Sequence, residues 1–232
     1  HIAEWGVYAY PSESNGKKGI LQVEVEVTNG GKNTENLTVV NELFDDQGKI
    51  VTVRKNKLSI AAGENSTLST ALSVSKPYLW SIDRPYLYML KTTLLKNGEE
   101  IDSSVTKTGF RSYTFDPNKG FALNGEWMKV KGVCLHHDAG VLGAAVPKDV
   151  WRQRLSRLKE IGCNAIRTSH NPQSPDLYDL CDEMGFLVME EAFDEWEFPK
   201  RKWIEGWNVG TPGFDGSYDF FEEWSERDLA DM

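Results

Sequence analysis

Cysteine is scarce: the 232 residues hold three (Cys134, Cys163, Cys181), and the first 133 residues hold none. An odd number without paired spacing argues against a disulfide framework, and no Cys or His spacing suits a structural metal. Positive charge is also short. Lys+Arg 26 against Asp+Glu 35 leaves a net charge of −9, which disfavours a nucleic-acid partner, since such partners select a basic stripe. No apolar run approaches the ~18 residues of a membrane span, so no membrane partner is expected. Residue 1 begins no signal-peptide pattern, and the cytoplasm or periplasm is the expected compartment.

Apolar residues make up 40% and charged residues 26%, ordinary values for a soluble globular protein, and the length allows one large or two modest domains. Tryptophan is abundant. Of the eight, Trp196, Trp203, Trp207 and Trp224 fall close together near the end. Large aromatic side chains serve core and lid packing, and their flat faces also stack on sugar C–H groups.

Up to about residue 110 the chain reads as short strands separated by turns. In Ile20–Val27, Val23, Val25 and Val27 share one face and Glu24 and Glu26 the other, the period of two of a half-buried strand. Asn29-Gly30-Gly31 and Asp45-Asp46-Gln47-Gly48 are turn signals around the strand Leu37–Phe44, and Ile50–Leu58 follows. Leu68, Thr70, Leu72 and Val74 share a face. Tyr86–Leu95 and Ile101–Thr108 flank Asn97-Gly98, a tight-hairpin signal. With Trp5–Tyr10 there are seven strands, which suggests an all-β immunoglobulin-like sandwich over 1–111 without the disulfide of antibody domains.

Residues 112–232 change to strand and helix in alternation. A hairpin-like lead-in around Asn124-Gly125 runs into a strand Lys129–Leu135. Trp151, Leu155, Leu158 and Ile161 then recur at helical spacing, with Gly162 at the C-terminal cap. Asn164–Arg167 is a short strand. Ser174-Pro175 reads as an N-cap followed by Pro at the first helical position, and Gly185 closes that helix. Phe186–Met189 is the continuous apolar run of a parallel strand covered on both faces. A long loop, Ala192–Gly216, precedes a helix over Tyr218–Leu229, with Phe221 and Trp224 on one side. No Gly-rich nucleotide loop follows the first of these strands. Three βα units are fewer than the eight of a (β/α)₈ barrel. The expectation is a partial α/β TIM barrel, a fragment.

Polar residues follow each strand: Leu135-His136-His137-Asp138, then Arg167-Thr168-Ser169-His170-Asn171-Pro172, then Glu190-Glu191-Ala192-Phe193-Asp194. In a βα barrel these positions lie on the C-terminal rim, where chemistry occurs. Taken singly, His136 and His137 suit ordinary loop residues, and Arg167 suits either a substrate contact or an ion pair with Glu190 or Glu191. Adjacent strand residues point to opposite faces, so Glu190 and Glu191 cannot both address one glycosidic oxygen. Adjacent histidines also lack the spacing of a metal site.

The run Asn164-Ala165-Ile166-Arg167-Thr168-Ser169-His170-Asn171-Pro172, with Leu180-Cys181-Asp182-Glu183-Met184-Gly185-Phe186 and Leu187-Val188-Met189-Glu190-Glu191-Ala192, resembles the signature of family 2 glycoside hydrolases. Trp80-Ser81-Ile82-Asp83-Arg84-Pro85-Tyr86, Gly109-Phe110-Arg111 and Lys131-Gly132-Val133-Cys134-Leu135-His136-His137-Asp138 support it. That family includes β-galactosidases, β-glucuronidases and β-mannosidases, and the β-galactosidase-like branch is the best match. The resemblance implies a jelly roll before this chain, then the sandwich, then a barrel whose last five βα units follow it. It also implies a retaining exo-β-glycosidase with two catalytic glutamates after strands four and seven, both outside this chain, since Asn41-Glu42, lying in the sandwich, cannot serve.

By position His136 and His170 resemble family residues that hold sugar hydroxyls, and Arg167 resembles the arginine beside the nucleophile. Asp138, Asn171 and Asp194 complete the implied substrate-binding set. Asn171 replaces the usual tyrosine, and Phe193 stands where some members have asparagine. Some β-galactosidases bind Mg²⁺ through a glutamate and a histidine; Glu195 aligns with that glutamate, but Trp196-Glu197 offers no histidine, so no metal or cofactor is expected. The implied partners are a β-galactoside and further copies in a homo-oligomer. β-Glucuronidase, β-mannosidase and a non-catalytic carbohydrate-binding module are the alternatives.

Overall fold

Val23, Val25 and Val27 are completely buried on one side of a strand whose other side carries Glu24 and Glu26. That alternation sets the first half of the molecule. The computed structural model describes residues 1–197 and 217–231. The chain forms two compact units, His1–Lys129 and Val130–Met232.

In the first unit seven strands build two antiparallel sheets: β1 (Ile2–Ser14), β2 (Lys18–Thr28), β3 (Glu35–Phe44), β4 (Ile50–Ile60), β5 (Asn65–Ser75), β6 (Tyr88–Lys96) and β7 (Glu99–Thr108). One sheet has the order β1-β2-β5 and the other β4-β3-β6-β7. In an antibody constant domain the fourth strand joins the first sheet. Here it stays with β3, because the connection is a tight reversal. Asp45 Oδ1 accepts hydrogen bonds from the amides of Gln47 (3.1 Å) and Lys49 (2.8 Å), and Gly48 takes φ +75°. Asn97 and Gly98, at φ +54° and +88°, make the β6–β7 turn whose twist matches the strands it joins.

Leu21, Val39, Leu43, Leu72, Leu90, Leu94 and Phe110 fill the sandwich, and aliphatic packing takes the place of a disulfide. One polar pair lies among them. Asn41 and Thr92 are cross-strand partners, and the Thr92 hydroxyl donates to Asn41 Oδ1 at 2.7 Å. Three further short strands, β8 (Tyr113–Asp116), β9 (Gly120–Leu123) and β10 (Glu126–Met128), form a meander in this unit. The sequence reading has the β9–β10 hairpin but not β8, whose Tyr113 and Phe115 are exposed and carry no alternation of burial.

In the second unit β11 (Gly132–Leu135), β12 (Ala165–Thr168) and β13 (Leu187–Glu190) form a parallel sheet in that order, and the crossovers contain α1 (Lys148–Glu160) and α2 (Pro175–Met184). Trp151 and Leu155 of α1 and Leu177, Leu180 and Cys181 of α2 pack with Ile166 and Phe186. Ile161, which the spacing places on the same helical stripe, is 75% exposed because the helix has already ended. Ser174 caps α2 by accepting from the Asp176 amide at 3.3 Å, and Gly185 ends it at φ +76°. A last helix, α3 (Phe221–Asp231), follows a short 3₁₀ turn. Most of the long loop, residues 198–216 with Trp203 and Trp207, lies outside the described residues. No helix among the described residues is long and apolar enough to cross a membrane.

One expectation needs correcting. The apolar run at β13 is not covered on both faces: Val188 is 36% and Met189 66% exposed. Among the described residues it pairs with β12 alone, on one edge.

Candidate functional site at the parallel strand ends

Register decides which side chains share a face. Leu135, Thr168 and Glu190 are aligned across the sheet, and Cys134, Arg167 and Met189 form the adjacent row. Successive residues alternate, so the first row faces the helices and the second the open side. Glu190 accordingly accepts a short hydrogen bond from the Tyr178 hydroxyl of α2, while Glu191, one residue on, turns to Arg167. Burial of Tyr178 pushes its phenol well above the ordinary value, and the Glu190 bond acts in the same direction. The two adjacent glutamates thus serve opposite faces.

Arg167 spans all three strand ends. Its Nη1 donates to Cys134 Sγ at 3.3 Å and to Ser169 Oγ at 3.4 Å, and its Nη2 makes a short bond to Glu191 Oε1. Of the readings open in the sequence, the structure therefore contains the ion pair with Glu191. The guanidinium bond to Cys134 holds that thiol below its usual range, and the Ser169 hydroxyl adds to this. The same contact with Cys134, then that with Glu191, raises Arg167. Completely buried Thr168 accepts from the Glu191 amide at 3.1 Å and so sets where the chain leaves β13.

His170 lies beside this pair. Its Nδ1 is 3.3 Å from Glu191 Oε2 and 3.7 Å from Asp194 Oδ1, and its ring meets the His136 ring edge-on at 5.2 Å. The peptide between Ser169 and His170 is cis. His136 and Asp194 thus meet at His170, and Glu191 joins His170 to Arg167. Asp138 and Asn171 make their bonds elsewhere. The Asp138 carbonyl accepts from Arg154 at 2.6 Å and its carboxylate from the Gly140 amide at 3.4 Å, while exposed Asn171 receives Gln173 Nε2 on its carbonyl at 3.3 Å. Beyond Asp194, the rings of Phe193, Trp196 and Phe221 cluster at 5.3 to 5.7 Å, and Trp196 is 60% exposed.

Comparison with known proteins places the chain in a family. Residues 1–111 match the model of glycosyl hydrolases family 2, and residues 117–198 match the TIM barrel domain of the same family. The chain belongs to glycosyl hydrolase family 2. Its fold is accordingly the family's immunoglobulin-like sandwich followed by the start of the (β/α)₈ barrel.

Among family 2 relatives, the β-galactosidase BoGH2A of Bacteroides ovatus is 42% identical over the whole chain, which covers 26% of that relative. A β-glucuronidase of Bacteroides fragilis is 30% identical over 80% of the chain, which covers 27% of that relative. A solved family 2 structure from Bacteroides cellulosilyticus superposes with a TM-score of 0.90 at 32% identity, covering all of this chain and 28% of that one. The chain thus spans about a quarter of the length of these relatives.

The family 2 motif residues do not by themselves point to Glu191 as the centre of the cluster. Its signals in the sequence are its position one residue past the strand ends, on the face opposite Glu190, and the open pairing of Arg167 with Glu190 or Glu191. Cys134 and Ser169 were equally hidden, since neither carries a chemistry that distinguishes it in sequence. Glu195 is buried, at 3% exposure. Among the described residues no group of three or more His, Cys, Asp or Glu side chains is placed to hold a metal ion.

Proposed function

We propose that residues 1–232 are the sandwich and first barrel segment of a retaining exo-β-glycosidase that removes terminal β-D-galactosides, supplying the sugar-orienting half of its site. The observation that carries this reading is the convergence of His136, Arg167 and His170 beyond the carboxyl ends of three parallel strands, where barrel enzymes do their chemistry. The identity of 42% to a β-galactosidase over the full chain favours galactose.

In this reading His136 and His170 hydrogen-bond sugar hydroxyls, with Asp138, Asn171 and Asp194 contributing polar groups. Arg167 supplies a fixed positive charge that keeps the nucleophilic carboxylate ionised. Trp196 offers an exposed ring face to a sugar. The acid/base and nucleophile, about 5–5.5 Å apart in a retaining enzyme, come from chain outside residues 1–232. Glu190 and Glu191 are unsuited to those roles, being committed to Tyr178 and to Arg167 with His170. Five more βα units close the barrel, no cofactor takes part, and the whole enzyme assembles as a homo-oligomer.

The relatives named β-glucuronidase support a second reading, with a C6 carboxylate on the sugar. The test is steady-state hydrolysis by the full-length protein of 4-nitrophenyl β-D-galactoside and β-D-glucuronide, with proton NMR of the first-formed anomer. Preferred turnover of the galactoside with retention is expected. Preference for the glucuronide selects the second reading, and inversion or no turnover of either overturns the mechanism.

A further inference from the structure

The geometry assigns Glu191 as the positioning residue of this half-site: one carboxylate orients Arg167 through Oε1 and His170 through Oε2, and so decides which imidazole nitrogen faces the sugar. The inference rests on the glycosidase reading above for what His170 touches. It goes beyond it in naming a residue that contacts no substrate.

Each oxygen has its own partner. Oε1 takes Arg167 Nη2, and Oε2 lies 3.3 Å from His170 Nδ1. The residue is itself anchored through its backbone, because the Glu191 amide donates to the buried Thr168 hydroxyl at 3.1 Å. An ionised carboxylate only accepts hydrogen bonds, so a bond closing this 3.3 Å gap puts the proton on Nδ1. Asp194 Oδ1, at 3.7 Å from the same Nδ1, acts in the same sense. A neutral His170 held this way carries its hydrogen on Nδ1 and presents Nε2 as an acceptor. Nε2 is then suited to receive the hydrogen of a sugar hydroxyl.

The arginine side follows the same logic. Nη1 makes longer bonds to Cys134 and Ser169, at 3.3 and 3.4 Å, whereas the Nη2 bond to the Glu191 carboxylate is short and charge-assisted and fixes the plane of the fork. A glutamine at 191 keeps the shape and removes the charge. Its amide can turn either an oxygen or an NH₂ toward His170, so the tautomer is no longer dictated.

The test uses Glu191→Gln and His170→Ala in the full-length protein, assayed with 4-nitrophenyl β-D-galactoside and its monodeoxy analogues. In wild type the analogue lacking the hydroxyl bound by His170 is expected to lose about tenfold in kcat/KM, the effect of one hydrogen bond. Glu191→Gln should erase that discrimination for the same analogue as His170→Ala does, and lower kcat on the parent sugar. A Glu191→Gln enzyme that is slower but keeps the wild-type deoxy profile, or one indistinguishable from wild type, overturns the inference.

A crystal structure of Glu191→Gln supplies a readout independent of turnover. The His170 ring or the Arg167 fork is expected to leave residue 191, and both held in place would count against the assignment. If the glutamine variant does not fold, Glu191→Asp, with the charge kept and the reach shortened, should weaken the same discrimination; a fully wild-type profile refutes it. Failure of the wild-type enzyme on every β-glycoside would instead sink the glycosidase reading, and the crystal structure would still decide the role of Glu191.

Discussion

Arg167 reaches three partners from one planar group. Its fork reaches Cys134 on β11, Ser169 just past β12 and Glu191 just past β13. A lysine carries one compact ammonium and cannot keep that planar geometry. Arg167→Lys in the full-length enzyme is therefore expected to reduce kcat/KM by roughly ten- to a hundredfold, as loss of an orienting partner does elsewhere; steady-state kinetics would check it, and wild-type rates would show that charge alone suffices. The same contact has a second consequence. Because the Arg167 and Ser169 hydrogen bonds lower the Cys134 thiol, its alkylation by iodoacetamide should reach half-maximal rate at a lower pH than a free peptide thiol. Arg167→Gln should move that midpoint upward. Cys181, whose thiol is pushed up to about 12 by burial, should stay unlabelled in the native protein. Mass spectrometry of the labelled peptides distinguishes the two.

Single elements carry their own tests. The α2 helix begins with Ser174 accepting the Asp176 amide and Pro175 in the first turn. Ser174→Ala should cost about 1 kcal/mol of stability and Ser174→Gly only a few tenths, measured by urea unfolding. In the sandwich, the β6 strand and the residues leading into it place Tyr86 and Tyr88 in the core. Burial pushes the Tyr86 phenol up to about 12, and burial likewise raises Tyr88. The folded state then holds these protons more tightly than the unfolded chain. Their contribution is complete below the unfolded phenol value of about 10 and disappears as pH rises through the folded one. Stability should fall between pH 10 and about 12, and Tyr86→Phe should flatten that fall. It should also lower stability at neutral pH, because the Tyr86 hydroxyl donates to Asp46 Oδ1 at 2.9 Å.

Among its described residues the second unit has three parallel strands, where a barrel of its kind has eight. Among the described residues β11 and β13 each pair on one edge only, and Val188 and Met189 are exposed on the outer one. Unpaired strand edges with apolar flanks recruit other chains. A polypeptide of residues 1–232 alone should therefore scatter light as species larger than its 26.2 kDa and should leave a chromogenic β-galactoside at the buffer rate. A concentration-independent monomer would refute the edge argument. Turnover abolished by mutating Glu190 or Glu191 would refute the view that the reacting carboxylates lie elsewhere.

Local pattern alone was enough for the seven sandwich strands, the Asn97-Gly98 turn, the Ser174 and Gly185 caps and the order of the βα units, because each is written in neighbours a few residues apart. The alternation of burial in β2 and the opposite facing of Glu190 and Glu191 follow from a period of two, a property of the strand itself. The motif around Arg167 and His170 was sufficient to indicate the family. Tertiary structure decided the rest. Whether Arg167 pairs with Glu190 or Glu191 depends on register between β12 and β13, and whether β4 lies in one sheet or the other depends on which edge its hairpin leaves free. The two-sided role of Glu191, and the exposure of β13 despite its apolar run, arise from contacts between segments more than twenty residues apart. Such contacts are set by the geometry of the parallel sheet, which no single stretch of sequence contains.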